Sequence, residues 1–583
     1  MKRRELLGAG LAMAGAAAFP VPTAGAAGVS RARPGGPGWP DADTWAKLGE
    51  AVGGRLGPVT APDLSGPDAH KLLANPFYIA DQPALAESSG WLDAWRAAPS
   101  AYAVTAKSAT DVAAAVRFAG VHNLRLVIKG RGHSYLGGSS APDSLLLWTR
   151  HMDDVAVHDA FTPQGSGAAP VPAVSCGAGA MWLRAYQAVS VGAGRYVQGG
   201  GCTTVGVAGL VQGGGFGSFS KAFGLAGAHL LEAEIVTADG ALRTVNHVRE
   251  PELFWALKGG GGGTFGAVTR LTLATHPLPQ TFGALNLTLH ARSDEAYRRL
   301  VARFLDLYAA SLFGPHFGEQ VRFSPDNRLQ LSMVFQGITA DAARAAIQPL
   351  IAFADAGGAD YEGQKSLFVA ALPARRFWDA SLVTQIGAAV KDQRPAASPN
   401  DFWWTGDGSQ VGVFWHGYAS AWLPRSLLQP QGQGRLADAL FAASRHQGVS
   451  LHFNKGLAGA LPEALAASRD TPMNPDVLDA FALAITGDAG PTLFTGAAPD
   501  LAAARAGRER VRAAIQALRA AAPDTGAYVN ECDYFQPDWQ RAFWGPHYAR
   551  LLAVKRRYDP AGLFTVHHGV GSEGWSADGF VRG

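Results

Sequence analysis

Three glycine clusters, set far apart along the chain, restrict its fold more than any other feature. The first lies in residues 126–140, LVIKGRGHSYLGGSS; the second in 198–217, QGGGCTTVGVAGLVQGGGFG; the third in 258–268, KGGGGGTFGAV. Glycine weakens helix and strand interiors, but it takes left-handed backbone angles and lets N–H groups come close to a phosphate. The chain holds 72 glycines, and their clustering speaks for close backbone approach to a ligand rather than for flexible linkers. An apolar strand over 124–128 feeds the first cluster, where Lys129, Gly130, Arg131 and Gly132 precede His133, Ser134 and Tyr135. Arg131 brings charge, and His133 brings a nucleophilic ring nitrogen. Cys202 sits inside the second cluster. The three runs are read as wrapping one large phosphate-bearing ligand, with His133 and Cys202 as candidates for bonding to it. None of them forms a G-x-G-x-x-G between a strand and a helix, which argues against a nicotinamide-binding Rossmann unit.

At 583 residues the chain exceeds one compact core, so two domains are expected. Formal net charge is +3 and no basic block stands out, which argues against nucleic acid as a partner. Three cysteines, Cys176, Cys202 and Cys532, are too few for a disulfide framework and match no zinc spacing. The N-terminus reads as an export signal: Lys2-Arg3-Arg4, the apolar run LLGAGLAMAGAAAF, then Ala24-Gly25-Ala26 as a cleavage site. Paired arginines before a weakly hydrophobic segment point to the twin-arginine route, which carries folded proteins. The apolar run is too short for a comfortable membrane span, and no other stretch qualifies. Residues 1–26 are assigned to the signal, and 27–65, rich in Pro, Gly and Ala, to an irregular lead-in.

Residues 67–96 look helical, with Trp91 and Trp95 four apart on one face. Thr110 can cap a helix through Ala119, where Val112, Ala115, Val116 and Ala119 follow the helical period. Strands are expected at 144–148, 171–175 and 268–273, a helix at 181–191, and a hairpin from 230–237 and 242–245. After His276-Pro277 the pattern changes. Leu285, Leu287 and Leu289 alternate with polar residues, and amphipathic helices follow at 294–311 and 341–353. Strand then helix, repeated, marks a sheet covered by helices on one side. Further strands are expected at 411–422 and 449–453, and a helix at 499–521. Trp403, Trp404, Trp415 and Tyr418 belong either to the core or to a stacking wall.

The order of the motifs is specific. RGHS at 131–134, GGGCTTVGV at 199–207, GGGFG at 213–217, VTADG at 236–240 and LFWALKGGGGGTFGAVT at 253–269 are followed by Tyr528-x-Asn530, Trp544-Gly545 and VKRRYDP at 554–560. In this set the chain resembles the berberine-bridge-enzyme-like branch of the vanillyl-alcohol oxidase superfamily of FAD-linked oxidases. The resemblance implies an α+β fold with a two-part PCMH-type FAD-binding domain, 66–275 and 523–583. Between the parts would lie a substrate domain, 276–522, whose antiparallel sheet covers the flavin and is backed by helices. It implies FAD bonded through His133 at the flavin 8α position and Cys202 at C6. Gly130, Arg131, Gly132 and Ser134, flanked by Lys129 and Tyr135, would hold the pyrophosphate. Gly200, Gly201, Val205, Gly206, Gly209 and Gly215 would pass along the isoalloxazine and ribityl, and Val236 would pack on adenine. Gly263 and Gly266 would flank a second approach, with Asn530 bonded to the flavin or holding its loop.

The implied activity is oxidation of an alcohol, in which hydride passes to flavin N5 while a base takes the hydroxyl proton, and O2 reoxidises the flavin to give H2O2. Tyr528 is the first choice for the active-site group. Lys455 supplies a cation able to lower a phenol's pKa, with His452 beside it in the LHFNKG run. The chain departs from the family pattern twice. Ala208-Gly209-Leu210 stands where many members have Gly-Gly-His, and Lys221-Ala222-Phe223-Gly224 where plant members carry a tyrosine base. Val211 lies near the oxygen-gating region, and its small size favours an oxidase. The expected substrate is bulky, an oligosaccharide or sugar or a phenolic or secondary-metabolite alcohol, and the expected protein is an exported monomer. Two rival readings are a dehydrogenase passing electrons to a quinone or protein, and an exported binding protein without turnover.

Overall fold

The computed structural model describes residues 29–362 and 367–583, so the export signal assigned to 1–26 lies outside the described residues. Three larger sheets organise the chain. In the first, Tyr102–Thr105, Leu145–Trp148 and Leu126–Lys129 run parallel, with Leu56–Pro58 antiparallel at one edge. Parallel strands need covering on their faces. The helix Ala109–Val121 supplies part of that cover by burying Val112, Ala115, Val116 and Ala119. Its cap is Ser108 rather than Thr110. Ser108 accepts from the Asp111 N–H while the Asp111 carboxylate accepts from the Ser108 N–H, a reciprocal pair. Thr110 would have put Ala113, which has no acceptor, in the partner position.

The lead-in expected to be irregular is ordered. Ala42–Ala51 is a helix capped by Asp41, and its Trp45 and Leu48 join the cluster that holds Val112 and Val116. Arg55 then reaches the buried Asp111 carboxylate at 2.6 Å. The Pro and Gly content of the segment hid an apolar spacing (Trp45, Leu48, Val52) that is helical.

The second sheet is antiparallel, in the order Leu242–Asn246, Leu230–Val236, Ala267–Ala274, Val171–Gly177 and Val155–Phe161. The last strand escaped sequence reading because it is a half-exposed edge without clean alternation. The third sheet has ten strands. Its centre runs Thr281–Ala291, Arg328–Gln336, Phe317–Phe323, Val449–His452, Ala480–Gly490, Val413–Pro424, each antiparallel to the next. Leu285, Leu287 and Leu289 are buried beneath Asp294–Leu307, Ala340–Ala356, Pro430–His446 and Leu501–Arg519, so helices do cover one face.

Trp91 and Trp95 are not on a helix. Ser88–Trp91 adds to the ten-stranded sheet in parallel with Val413–Pro424, then turns back as Trp95–Arg96, with the two tryptophans paired across the turn. Asp93 at the turn is left-handed, φ +56°. A spacing of four suits a three-residue hairpin loop as well as a helical turn, and burial in the sheet decided between them. On the same sheet a β-bulge between Trp415 and Gly417 interrupts the alternation, so Trp415 and Tyr418 pack together with Tyr528 and Phe216 on the face away from the helices. Among the described residues all three cysteines are free, and no helix is long and apolar enough to cross a membrane.

Asp111→Ala is expected to destabilise the protein by about 2–3 kcal/mol, because it strands Arg55 and two backbone donors. Ser108→Ala should remove only about 1 kcal/mol. Urea unfolding followed by tryptophan fluorescence measures both. Burial pushes the Asp111 carboxyl up, but Arg55 and the Lys107 N–H outweigh it and hold the group below its ordinary value. Its contribution is therefore complete above about pH 3.9, the unfolded aspartate value, and is lost as pH falls through the lower folded one.

Candidate active site

A cavity of about 320 Å³ opens between the first sheet, the glycine clusters and the returning C-terminal segment. The strand Leu126–Lys129 delivers the first cluster to its wall. Gly132 turns there with φ +82°, and a Cβ would collide with the Lys129 side chain. Lys129 borders the cavity, but its ammonium donates to the carbonyls of Gln82 (2.7 Å) and Leu85, so it anchors the loop and is not free to meet a phosphate. Arg131 is buried. Its Nε donates to the Gly179 carbonyl at 2.8 Å, and both terminal nitrogens lack a hydrogen-bond partner. Ser134 Oγ accepts from the Gly138 N–H at 3.0 Å.

The facing wall comes from the second and third clusters. Val205, Gly206, Gly209, Gly263 and Gly266 all border the cavity. A Cβ on Gly209 would find no atom within 4 Å. Gln212, at the end of the helix Val207–Gln212, also borders it, with a buried Oε1 that has no partner. Donors without acceptors, glycine surfaces without side chains and the apolar flanks Ile128 and Val268 together fit a phosphate-bearing dinucleotide with a flat ring, as FAD is.

His133 Nε2 stands 3.1 Å from Thr204 Oγ1 and 3.8 Å from the Glu87 carboxyl. Burial, then Arg131, pushes its pKa down to about 4, so the ring is neutral. Burial pushes Glu87 up to about 8, so that neighbour is neutral as well at physiological pH. The His133–Thr204 contact ties the first cluster to the second, two residues beyond Cys202. Cys202 itself does not border the cavity and lies beside Asp407; burial and that carboxyl hold its thiol well above the ordinary value.

Several expected contacts are displaced. Val236 does not reach the cavity; it is fully buried with Val104, Leu126 and Ala267, because its strand packs against Ala109–Val121. Gly215, φ +73°, serves a tight turn against Leu210 and Ala226. Gly200 and Gly201 lie outside the wall too, their carbonyls accepting from Tyr186 Oη and Trp404 Nε1, each at 3.0 Å. Val211 is buried in its helix and does not border the cavity. In the stretch 221–224, Lys221 is turned away from the cavity lining and donates to the carbonyls of Gly456, Ala458 and Phe481.

Tyr528, Asn530 and Lys455 do border the cavity, and His452 does not. The Tyr528 oxygen accepts from Asn530 Nδ2 at 2.9 Å. Burial and then Glu531 raise its pKa above the ordinary phenol range, although Asn530 and the Gly215 backbone pull the other way. No free cation lowers it, because both oxygens of Glu531 stand 2.6 Å from Lys455 Nζ. Burial keeps His452 neutral, with an unpartnered Nδ1. Sequence reasoning missed Gln212 and Glu531, although each directly adjoins a quoted motif, GGGFG and Tyr528-x-Asn530.

Comparison with known proteins agrees with this site. The FAD binding domain family matches residues 100–246, and the family described as berberine and berberine like matches 527–571. A FAD-linked oxidoreductase of Arthroderma benhamiae is 32% identical, across 82% of this chain and 79% of that protein. The VAO-type flavoprotein oxidase VAO615 of Thermothelomyces thermophilus is 29% identical across 95% and 94%. The crystal structure of the VAO-type flavoprotein MtVAO615 from Myceliophthora thermophila superposes with a TM-score of 0.75 at 25% identity, covering 95% of this chain and all of that one. The glucooligosaccharide oxidase of Acremonium strictum, described with a 6-S-cysteinyl, 8α-N1-histidyl FAD, shares the fold at 19% identity and a TM-score of 0.60, over 80% and 91%. With its glycine-walled cavity, both family matches and a relative this similar over most of both chains, the protein belongs to the FAD-linked oxidoreductases of the vanillyl-alcohol oxidase and berberine-bridge type.

Proposed function

We propose that this enzyme is an exported oxidase that holds FAD through bonds to His133 and Cys202 and oxidises an alcohol carbon of a bulky substrate. The observation that carries the reading is the contact of His133 with Thr204, which brings a neutral imidazole and the Cys202 loop to one side of one cavity. A neutral ring keeps a lone pair for bond formation. The linkage described for the glucooligosaccharide oxidase supports the same pair here. FAD, once bound, supplies the hydride acceptor, and its reoxidation by O2 gives H2O2.

The chain's own groups have distinct tasks. The N–H groups of Gly130 and Gly132 and the Ser134 hydroxyl would hold the pyrophosphate, with the Arg131 guanidinium, whose Nη2 lies 3.9 Å from the Asp153 carboxylate, adding positive charge. Gly206, Gly209 and Val205 give the flat ring a surface free of bulk, and Asn530 fixes Tyr528 at its edge. The proposed domain limits are 66–275 and 523–583 around 276–522, with 29–65 packed onto the FAD-binding part through Trp45 and Arg55 and the strands Ser88–Trp91 and Trp95–Arg96 added to the sheet of the middle segment. Oligosaccharide oxidases among the structural relatives, one solved with xylobiose, support a sugar or oligosaccharide substrate, and a phenolic alcohol is the alternative. The twin-arginine leader supports export to where such substrates are found, and the protein is taken to act as a monomer.

Precipitation of the purified enzyme with acid should leave the yellow colour in the pellet. Cys202→Ser should keep it there through His133, and the double change His133→Ala with Cys202→Ser should release it to the supernatant. A panel of sugars, oligosaccharides and phenolic alcohols, mixed with the enzyme without O2, should include one that bleaches the flavin. Admitting air should restore the colour with formation of H2O2; a flavin that stays bleached until a quinone is added identifies a dehydrogenase instead.

A further inference from the structure

Alcohol oxidation requires a group that accepts the hydroxyl proton within reach of the reacting carbon. The cavity wall offers few. Burial holds the Tyr528 and Tyr135 phenols above their ordinary range, and Glu531 adds to the shift in both. His133 faces Thr204 and is assigned to the flavin. Burial lowers the pKa of His567 and His568, that of His568 to about 3, and so makes both weak proton acceptors; His567 faces the Tyr534 carbonyl at 2.8 Å, and His568, its Nε2 unpartnered, stacks on Trp539. Glu87 is protonated through neutral pH. Among the described residues bordering the cavity, the carboxylate is that of Glu531, with a side chain 20% exposed.

We propose that Glu531 is the base that takes the substrate's hydroxyl proton, and that Lys455 is its positioning residue. This rests on the alcohol-oxidation reading above. A carboxylate offers about four lone-pair directions. Lys455 occupies one on each oxygen, at 2.6 Å, and leaves the others for a substrate hydroxyl. Both partners sit on firm elements. Lys455 closes Phe453–Lys455, directly after the central strand Val449–His452 of the ten-stranded sheet, while the Glu531 carbonyl accepts from Ser420 Oγ on Val413–Pro424, two strands along the same sheet. The Tyr528↔Glu531 bridge fixes the turn between them. The electrons balance simply: the substrate C–H bond breaks with its pair passing to the flavin, the O–H proton passes to a Glu531 oxygen, and C=O forms. Glu531 then releases the proton to solvent.

The alternative is an ion pair that only staples the C-terminal segment to the sheet. The two roles part under anaerobic stopped-flow mixing with whichever alcohol of the panel bleaches the wild type fastest. Glu531→Gln should slow flavin reduction by about 10²–10⁴-fold, the usual contribution of a general base, while leaving the flavin spectrum and its reduction by dithionite intact. Glu531→Asp should recover part of the rate. Lys455→Met should slow reduction less, and Lys455→Arg should restore it. If the Gln change yields no flavin-loaded protein, the double change Glu531→Gln with Lys455→Met, which strands no charge, should show the same slowing. A Glu531→Gln rate within about threefold of wild type, or a larger loss in Tyr528→Phe, overturns the assignment against the expected general-base magnitude. A wild type bleached by no alcohol overturns the oxidation reading and this inference together.

Discussion

Three buried ammonium groups hold the glycine-rich loops where the cavity needs them. Lys129 collects carbonyls at Gln82 and Leu85, Lys221 collects Gly456, Ala458 and Phe481, and Lys555 collects Thr264 and Phe564 beside Asp559. Irregular backbone buried in this way carries carbonyls that no ladder satisfies. An ammonium offers three donors on a flexible stem and can satisfy several such loops at one point. Burial charges these lysines at a cost, visible in the fall of Lys129 and Lys221 to about 7. The carbonyls offset it. Each lysine joins one glycine cluster to a distant part of the chain: the first to residues 82–85, the second to the ten-stranded sheet, the third to the C-terminal segment. The cavity is the space enclosed when all three joints are made.

Inside that space, burial removes charge almost everywhere. His133 stays unprotonated, while Glu87 and the phenols stay protonated, each because the charged form would lie in a poorly solvated wall. Lys455 and Glu531 form an ion pair on the cavity wall, both carboxylate oxygens 2.6 Å from the ammonium, and Arg131 brings a buried guanidinium to the same wall. A lining in which most titratable groups are neutral suits a neutral substrate. It also concentrates the electrostatics of the reaction at one point, where a proton must leave as hydride departs.

Much of this was legible because glycine order is hard to imitate by chance. The three clusters, the strand before His133, the hairpin over 230–246 and the alternating Leu285, Leu287 and Leu289 all appear where the pattern places them. What failed turned on partners far away in sequence. Trp91 and Trp95 satisfy two periods at once, and only the strand Val413–Pro424 beside them selects the hairpin. Val236 looked exposed to a ligand because nothing local says that Ala109–Val121 will cover it. Tyr528 drew attention as a motif residue, yet whether a phenol or the adjacent carboxylate takes the proton depends on Lys455, 76 residues upstream of Glu531. Charges that decide chemistry are set by contacts of this kind, and a single sequence does not record them.

The state of His133 also bears on when attachment of the flavin takes place. Its low pKa comes first from burial and then from Arg131, both properties of the folded loop. In an unfolded chain the same imidazole titrates near pH 6.5, and a substantial fraction is protonated and unable to bond. Thr204 reaches it only once the second cluster is docked. On the proposed reading, attachment therefore follows folding rather than guiding it. Under that reading the protein folds and loads FAD where FAD is available, before any export.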